Sequence, residues 1–330
     1  MLLVVGAMVS QEVWWRSRGI SQSVSDDVNL WCIQRDKADA AGHDVIAVLG
    51  ASHMQLGFAP EAFHACNPKY KIANLAINGT FPIPILQDLA EDESFSGIVI
   101  CGLMPRGIVP DAWKGPPVVY SGYHRYQWGY TKLVERKLRT YLQQSLSWFN
   151  QEVSLNNLIR DLARGRMPRD DYLLSGEDRF KQADYSLTDA EAMGKRRFAG
   201  VQKSWESTYR ELSDAEVLDA VRQIDGWVKQ IQARGGEVVF FRPITDEPFY
   251  SFETSLYPRD KYWDVLARNT SALTVHFADC PEFIGIDCPD GAHLNYADAK
   301  KVTRVLFDRM ARAGIVAYGS DDDDVVPTED

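Results

Sequence analysis

Mostly apolar runs of five or six residues recur along the chain and are separated by longer amphipathic stretches. Their length and β-branched content are typical of buried parallel strands. The clearest amphipathic stretch, 214–234, follows a capping box of Ser213 and Glu216 and ends at Gly235-Gly236, and a second apolar stripe ends at Gly314. Strands that alternate with helices predict a parallel sheet covered on both faces. The predicted strands are 44–49, 72–76, 97–101, 237–241 and 273–277.

The interval of about 111–200 departs from this alternation. It contains amphipathic helical stretches but no convincing core strand, which predicts a mostly helical insertion between the third and fourth strands. Neither a repeat nor a Gly/Ser-rich linker divides the chain. We therefore expect one α/β domain at 21–319, a three-layer α/β/α sandwich around a parallel five-stranded sheet, with an N-terminal segment 1–20 and a tail 320–330.

The formal net charge of −10 is distributed unevenly. Residues 321–330 contain six acids and no base, which predicts a solvated, disordered tail. The segment 120–170 has the opposite balance, with nine bases against four acids, and many aromatic side chains. An overall negative charge argues against general nucleic-acid binding. The basic segment is interpreted either as a lid or surface that rests on an anionic membrane or polymer, or as a helical hairpin with a solvated cationic face.

The cysteines and histidines indicate no metal centre and no cofactor. The five cysteines are scattered, and His43, His64, His124 and His276 lack metal-ligand spacing, so the expectation for metal ligands is none. Cys280 and Cys288 would form a disulfide if the protein is exported; the alternative is two buried thiols.

The N-terminal nine residues carry no charged side chain and precede Trp14-Trp15, Arg16 and Arg18. This is the order found where a spanning helix leaves the hydrocarbon, although a span needs about 20 apolar residues. Two interpretations stay open, a truncated membrane anchor and a buried or frayed N-terminal helix. The first predicts a membrane-associated or periplasmic protein of the cell envelope and the second a cytoplasmic one; the arginines favour a cytoplasmic flank, which counts against simple export.

Three polar segments follow the predicted strands at their carboxyl ends, where open parallel sheets place their sites. Ser52 comes after the first strand, Asn78-Gly79 after the second, and Asp290 and His293 precede the last helix. A serine hydroxyl is a weak nucleophile until a base removes its proton. His293 is the natural base, and Asp290 can accept from its other ring nitrogen, so the three residues predict a catalytic triad.

The Gly-x-Ser turn, the Asn-Gly and the Asp-x-x-His-Leu together resemble the SGNH/GDSL superfamily of serine esterases and acyltransferases. The resemblance implies a flavodoxin-like sheet, with Ser52 as nucleophile, His293 as base, Asp290 as its partner and the Ser52 and Gly79 N–H groups in the oxyanion hole. It covers about 44–107 and 214–314 and leaves the insertion unexplained. The Trp-rich N-terminus and Phe240-Phe241-Arg242-Pro243 are more similar to uncharacterised, membrane-anchored bacterial members, which resemble accessory proteins for O-acylation of cell-surface polymers.

Two positions depart from the superfamily pattern. Ala51 replaces the usual acid before the serine, and Met104 stands where the third block offers an asparagine. Methionine cannot donate the oxyanion hydrogen bond, and loss of one such donor typically costs about 10²–10³ in turnover. Arg106 or the Asn78 amide are the candidate substitutes.

Two further residues at this edge are candidates for binding substrate. His53 follows the nucleophile; the alternative is a partly exposed histidine at a helix start. Arg242 closes the fourth strand and is a candidate to bind an anionic group bidentately; the alternative is an ion pair with a neighbouring acid.

The sequence thus predicts an esterase or O-acyltransferase that acts on an acylated small molecule or carbohydrate polymer. The alternative is a weak or inactive binding subunit of an envelope-modification system, with a membrane-bound acyltransferase as partner. A third interpretation is a lipid-facing hydrolase that docks through 120–170.

Overall fold

The computed structural model describes residues 2–39, 42–150, 153–163 and 172–319. Its centre is a parallel five-stranded sheet in which the second strand in the chain lies at one edge, followed by the first, third, fourth and fifth. All five predicted strands are present, so the predicted fold class is confirmed. They are β1 (Val45–Leu49), β2 (Lys71–Asn74), β3 (Ile98–Gly102), β6 (Glu237–Arg242) and β7 (Leu273–His276).

Helices cover both faces of the sheet because successive strand residues point to opposite faces and are apolar on both. In β1, Val45, Ala47 and Leu49 pack into one hydrophobic cluster, and Ile46 and Val48 pack into the other. The first cluster is closed by α2 (Val28–Asp39), α5 (Ile83–Glu91), α10 (Asp214–Gln232) and α12 (Trp263–Asn269). The second is closed by α3 (Ser52–Gly57), α4 (Pro60–His64) and α13 (Tyr296–Arg312). The predicted capping box of α10 is formed by Ser213 and Glu216.

The interval between β3 and β6 contains helices and, in addition, a short antiparallel strand pair. Each of these two strands has only three residues, which is shorter than the apolar runs of the sheet strands, and for this reason the hydrophobic pattern did not reveal them. The elements are α6 (Pro116–Gln127), α7 (Tyr130–Ser145), α8 (Leu155–Ala163), β4 (Leu173–Ser175), β5 (Lys181–Ala183) and α9 (Ala190–Thr208), and α11 (Phe249–Leu256) follows β6.

Some basic side chains of the segment 120–170 form ion pairs with acids of the same chain. The buried guanidinium of Arg136 donates to Asp27 Oδ2 at 3.0 Å, and Arg125 donates to Asp88 Oδ1 at 3.1 Å. The other face of α7 is exposed and apolar, with Tyr130, Val134, Leu138 and Tyr141 at helical spacing. Arg164, Arg166 and Arg169 of this segment lie outside the described residues.

The N-terminal residues form a helix, α1 (Leu2–Ser17), which contacts the rest of the protein near its C-terminal end. Trp15 is buried with Ile20 and Val153, and the Glu12 carboxylate accepts the Ser147 N–H at 3.0 Å. Among the residues with assigned structure, no helix is long and apolar enough to cross a membrane. The acidic tail at 320–330 lies outside the described residues.

The two C-terminal cysteines are buried free thiols. Cys280 donates to the His276 carbonyl and Cys288 to the Ile244 carbonyl. They therefore contribute to packing as separate side chains.

Candidate active site

Ser52 is the first residue of α3 and is presented at the carboxyl edge of the sheet by a tight turn. Gly50 in that turn has a φ of +150°, and a Cβ there would lie 2.4 Å from Met54 Cγ. Only glycine fits this close approach without displacing α3. The turn places the serine hydroxyl beside β1 and β3, where the strand order reverses and open α/β sheets form their binding crevice.

Asp290 and His293 lie in the loop before α13 and meet Ser52. Asp290 Oδ1 accepts the backbone N–H groups of Ala292 at 3.0 Å and His293 at 2.8 Å, which fixes the carboxylate. His293 Nε2 lies 2.7 Å from Ser52 Oγ, and His293 Nδ1 lies 3.1 Å from Asp290 Oδ2. Nucleophile, base and orienting carboxylate are therefore within hydrogen-bonding distance of one another in the order that acyl transfer requires.

Two residues of the 111–200 interval also contact Asp290, and the sequence analysis singled out neither. The Tyr185 hydroxyl donates to Asp290 Oδ2 at 2.8 Å, and the Arg197 guanidinium donates to the same oxygen. Burial raises the pKa of Tyr185, which keeps its hydroxyl protonated as a donor. No spacing in the sequence relates these side chains to the Asp290 loop, because α9 and the turn at 185–187 reach it only in the folded chain.

Close packing at Gly194 brings α9 onto the Asp290 loop. A Cβ at this position would lie 2.7 Å from the Asp290 carbonyl oxygen. Arg197 is one helical turn further along α9 and thus lies over the carboxylate. A glycine inside a helix is unfavourable by about 1 kcal/mol relative to alanine, so its position here is explained by this contact.

Arg197 changes the electrostatics of His293. Its Nη1 atom lies 3.0 Å from His293 Nδ1. Burial, followed by the positive charges of Arg197 and Lys181, lowers the pKa of His293 to about 3. A guanidinium only donates hydrogen bonds, so this contact favours a ring proton on Nε2, facing Ser52, rather than on Nδ1.

The residues of the predicted oxyanion hole lie in the cleft beside Ser52. Asn78, Gly79 and Met104 line it, and Gly79 adopts a φ of +70° in the turn after β2. Among the described residues, neither the Ser52 nor the Gly79 backbone N–H donates to a protein acceptor. These two N–H groups are therefore available to a substrate oxygen, whereas the Met104 thioether supplies no donor.

The cleft has a volume of about 660 Å³, which suits a small ligand. One wall is a face of α9, where Arg196, Arg197, Gly200, Val201, Ser204 and Trp205 recur at helical spacing. The lining also includes the aromatic residues Phe81, Phe249 and Phe252. The later part of the 111–200 interval thus forms the substrate wall, while α6 and α7 pack elsewhere, on α2 and α5.

His53 and Arg106 line the cleft, as expected of substrate-binding candidates. The His53 ring stacks on His293 with centroids 5.0 Å apart, and its buried Nδ1 has no hydrogen-bond partner among the described residues. Burial lowers the pKa of His53 well below its usual value, and the His293 and Arg242 charges act in the same direction. His53 is therefore a neutral ring packed against His293.

Arg242 is not available to substrate. Its side chain is fully buried, and its guanidinium donates to the Glu253 carboxylate, to Thr245 Oγ1 at 2.9 Å and to the Pro243 carbonyl. The expectation of substrate binding by Arg242 is thus corrected to the alternative, an ion pair with a neighbouring acid. The physical reason is that the side chain of the last β6 residue turns into the packing of α11, whose Glu253 is also buried.

Among the described residues, one group of side chains has the geometry to hold a metal ion, and it lies outside the cleft. Ligand atoms of Asp36, Asp39 and His124 lie within 4.8 Å of one another. Their atoms already have protein partners: His124 Nε2 lies 2.8 Å from Asp36 Oδ1, Trp128 Nε1 donates to Asp36 Oδ2 at 2.8 Å, and Arg35 pairs with Asp39. We interpret the group as a hydrogen-bonded contact between α2 and α6.

Comparison with known proteins gives distant structural likenesses. The sequence matches no protein-family model and no curated protein. Among solved structures, it is similar to TesA, with a TM-score of 0.36 and 12% identity over 81% of this chain and 98% of TesA. It is also similar to the YxiM protein of Bacillus subtilis, with a TM-score of 0.35 and 11% identity over 84% of this chain and 59% of that protein. Likenesses of this size identify neither a reaction nor a substrate.

Proposed function

We propose that this chain is a serine esterase or O-acyltransferase of the SGNH type. The observation that carries the proposal is the hydrogen-bonded series Ser52 Oγ, His293 Nε2, His293 Nδ1 and Asp290 Oδ2, with contacts of 2.7 and 3.1 Å, at a cleft on the carboxyl edge of the sheet. The residue pattern that resembles the SGNH superfamily occurs at these same positions.

In the proposed reaction, Ser52 Oγ attacks the ester carbonyl carbon while His293 Nε2 takes its proton. The carbonyl oxygen becomes an oxyanion, which accepts from the Ser52 and Gly79 N–H groups. The carbonyl re-forms as the bond to the alcohol breaks, and the alcohol leaves with the proton from His293. Water or a second hydroxyl, deprotonated by His293, then attacks the Ser52 ester, and collapse releases the acid or the transferred ester together with free serine.

Asp290 accepts a hydrogen bond from His293 Nδ1 only when that nitrogen carries the ring proton, and in the resting geometry the Arg197 guanidinium lies against the same nitrogen. We propose that Arg197 turns away from Nδ1 when substrate is bound. The carboxylate does not depend on Arg197 for its orientation, since Tyr185 and two backbone N–H groups also hold it. The acceptor class, water or a carbohydrate hydroxyl of a cell-envelope polymer, is likewise a proposal and rests on the family resemblance.

An aryl ester assay with active-site labelling tests the proposal. We expect a burst of p-nitrophenol from p-nitrophenyl acetate and covalent labelling of Ser52 by a fluorophosphonate. Ser52→Ala is expected to lose both, whereas Ser204→Ala, which removes another hydroxyl that lines the cleft, is expected to retain the label. Wild type that is as inert as Ser52→Ala, with no label on either protein, would contradict the enzyme proposal.

A second candidate function is a binding subunit that keeps the fold without turnover. Met104 in the oxyanion position and Arg197 beside His293 favour it, because one removes a donor and the other weakens the base. Its proposed partner is a membrane-bound acyltransferase. Absence of labelling, combined with saturable binding of an acylated sugar, would support this alternative.

We further propose that the exposed apolar face of α7 rests on an anionic membrane surface. Tyr130, Val134, Leu138 and Tyr141 are each more than half exposed on it, and Lys137 lies one residue from Leu138. Wild type is expected to sediment with vesicles that contain phosphatidylserine, and Leu138→Ser with Tyr141→Ser to sediment less. Equal sedimentation of the two proteins would refute the surface, without bearing on ester turnover.

A further inference from the structure

Positive charge dominates the cleft around Ser52. Four cationic side chains line it, Arg106, Lys181, Arg196 and Arg197, against a single carboxylate among the described lining residues, Glu253. That carboxylate is buried and already paired with Arg242. The excess of cations is local, because the whole chain carries a formal charge of −10.

The four cations differ in whether a protein acid neutralises them. Arg197 is paired with Asp290, and Lys181 Nζ lies 3.9 Å from Asp26 Oδ2, a carboxylate that Arg179 holds at 2.6 Å. Arg106 and Arg196 have no carboxylate partner anywhere in the part of the chain that the structure describes. Neither cation is neutralised by a carboxylate of the described residues; Arg106 is half-buried and Arg196 is exposed at the mouth of the cleft.

Arg106 is held in a fixed position. Its guanidinium lies over the rings of Phe81 and Trp205, at 5.6 and 5.1 Å from their centroids, and Nη2 donates to Thr208 Oγ1 at 2.6 Å. Burial lowers the pKa of this half-buried group, because removing the cation from water without a counter-ion is unfavourable. A bound anion offsets that cost through the N–H groups that Thr208 does not use.

Arg196 lies at the other end of the same wall. The helix rise places it about 13 Å along α9 from Trp205, the residue that stacks on Arg106. Between Arg197 and Trp205 the lining is mostly apolar, with Val201, Phe249 and Phe252 beside the hydroxyl of Ser204. The cleft therefore offers a mainly apolar middle section and, at either end, a cation without a carboxylate partner among the described residues.

We infer that the ester bound in this cleft carries an anionic group, a carboxylate, phosphate or sulfate, that pairs with Arg106 or Arg196. The inference rests on the proposed function and deepens it by naming the substrate class. Because the cations lie at the two ends, the anion belongs either to the acyl part or to the alcohol part of the ester. Two pairs of substrates, one that differs by a charge on the acyl part and one that differs by a charge on the alcohol part, distinguish these two positions of the anion.

For the acyl part, the pair is mono-p-nitrophenyl adipate and p-nitrophenyl hexanoate, which differ by a terminal carboxylate. For the alcohol part, the pair is 4-acetoxybenzoate and 4-acetoxybenzamide. In at least one pair, with uncatalysed hydrolysis subtracted, we expect kcat/KM to favour the anion by about tenfold or more, the effect of one charge-assisted hydrogen bond. The preference is expected to fall in Arg106→Met or Arg196→Met and to weaken in 0.5 M salt.

Lys203→Gln is the matched control, because it removes an exposed cation from α9 that does not line the cleft. It is expected to keep the wild-type preference. Turnover of both members of both pairs at equal rates, or a preference that Lys203→Gln reduces as much as Arg106→Met and Arg196→Met do, would overturn the inference and leave the proposed function standing.

Binding to Ser52→Ala tests the inference without turnover. By titration calorimetry, monomethyl adipate is expected to bind this variant about tenfold or more tightly than methyl hexanoate if the anion lies on the acyl part. For the alcohol part, the probes are 4-acetoxybenzoate and 4-acetoxybenzamide. A preference for the anion in wild type that turns over no ester would refute the proposed function and support the anion site. Equal binding within both pairs would overturn the anion site whether or not esters are hydrolysed.

Discussion

Replacement of Arg197 by methionine tests the electrostatics of the site most directly. The variant removes the cation that lies 3.0 Å from His293 Nδ1 while keeping a long apolar side chain. Burial, the largest cause of the low His293 pKa, remains, as does the smaller effect of Lys181. The pKa of His293 is therefore expected to rise from about 3 without reaching its ordinary value.

The size of the shift follows from the separation of the charges. Two unit charges about 4 Å apart at an effective dielectric constant near 20 interact by about 4 kcal/mol, which corresponds to about three pH units. The Asp290 carboxylate neutralises part of the Arg197 charge, since the two are directly paired. We therefore expect a rise of about one to two units.

The sign of the pH effect is fixed by which form of His293 is active. The neutral ring is the base, so wild-type kcat/KM is expected to stay level with falling pH until it approaches the low His293 pKa of about 3. In Arg197→Met the acid limb moves to higher pH by about one to two units. Turnover of a neutral ester near pH 7 is expected to increase. Without the Arg197 guanidinium beside it, His293 Nδ1 can carry the ring proton, which leaves Nε2 free to accept the proton of Ser52.

The assay is kcat/KM for p-nitrophenyl butyrate between pH 3 and pH 9, with circular dichroism to verify folding at each end. Lys195→Gln is the control, because it removes an exposed cation two residues away whose partner is Glu191. Imidazole ¹⁵N shifts report the His293 tautomer independently of turnover. An acid limb at the same pH in Arg197→Met and wild type, with an unchanged tautomer, would refute the reasoning.

Three further substitutions test contacts that position the site. Gly194→Val places a side chain against the Asp290 carbonyl and is expected to lower both Tm and kcat/KM; an unchanged Tm would contradict the close contact. Arg242→Met leaves the Glu253 carboxylate buried and unpaired, for an expected loss of about 3–5 kcal/mol in urea unfolding, and Glu253→Leu in the same chain should restore much of it. Tyr185→Phe removes one hydrogen bond to Asp290 and is expected to cost about 1 kcal/mol of stability, read from the urea midpoint, and to lower kcat severalfold; wild-type kinetics would show that Tyr185 is dispensable.

The layered part of this protein can be predicted from local patterns in the amino-acid sequence. The five strands and helix α10 follow from short-range patterns, because apolar runs and capping residues act over a few neighbouring positions. Ser52 and the Asp290 loop were identified as candidates for a similar reason: each lies directly at the end of an element, and parallel strands bring their carboxyl ends to one edge.

The side chains that surround Ser52 and the Asp290 loop are known only from the tertiary structure. Tyr185 and Arg197 reach Asp290 from about a hundred residues away in the chain, through the packing of α9 at Gly194, and no local pattern encodes that contact. Arg242 lies at the expected strand end, yet its side chain pairs with Glu253 in the protein interior. The burial and charge pairing of a side chain depend on neighbours that are distant in sequence. The tertiary structure therefore determines the electrostatics of this site, whereas the backbone positions of its residues follow from local sequence patterns.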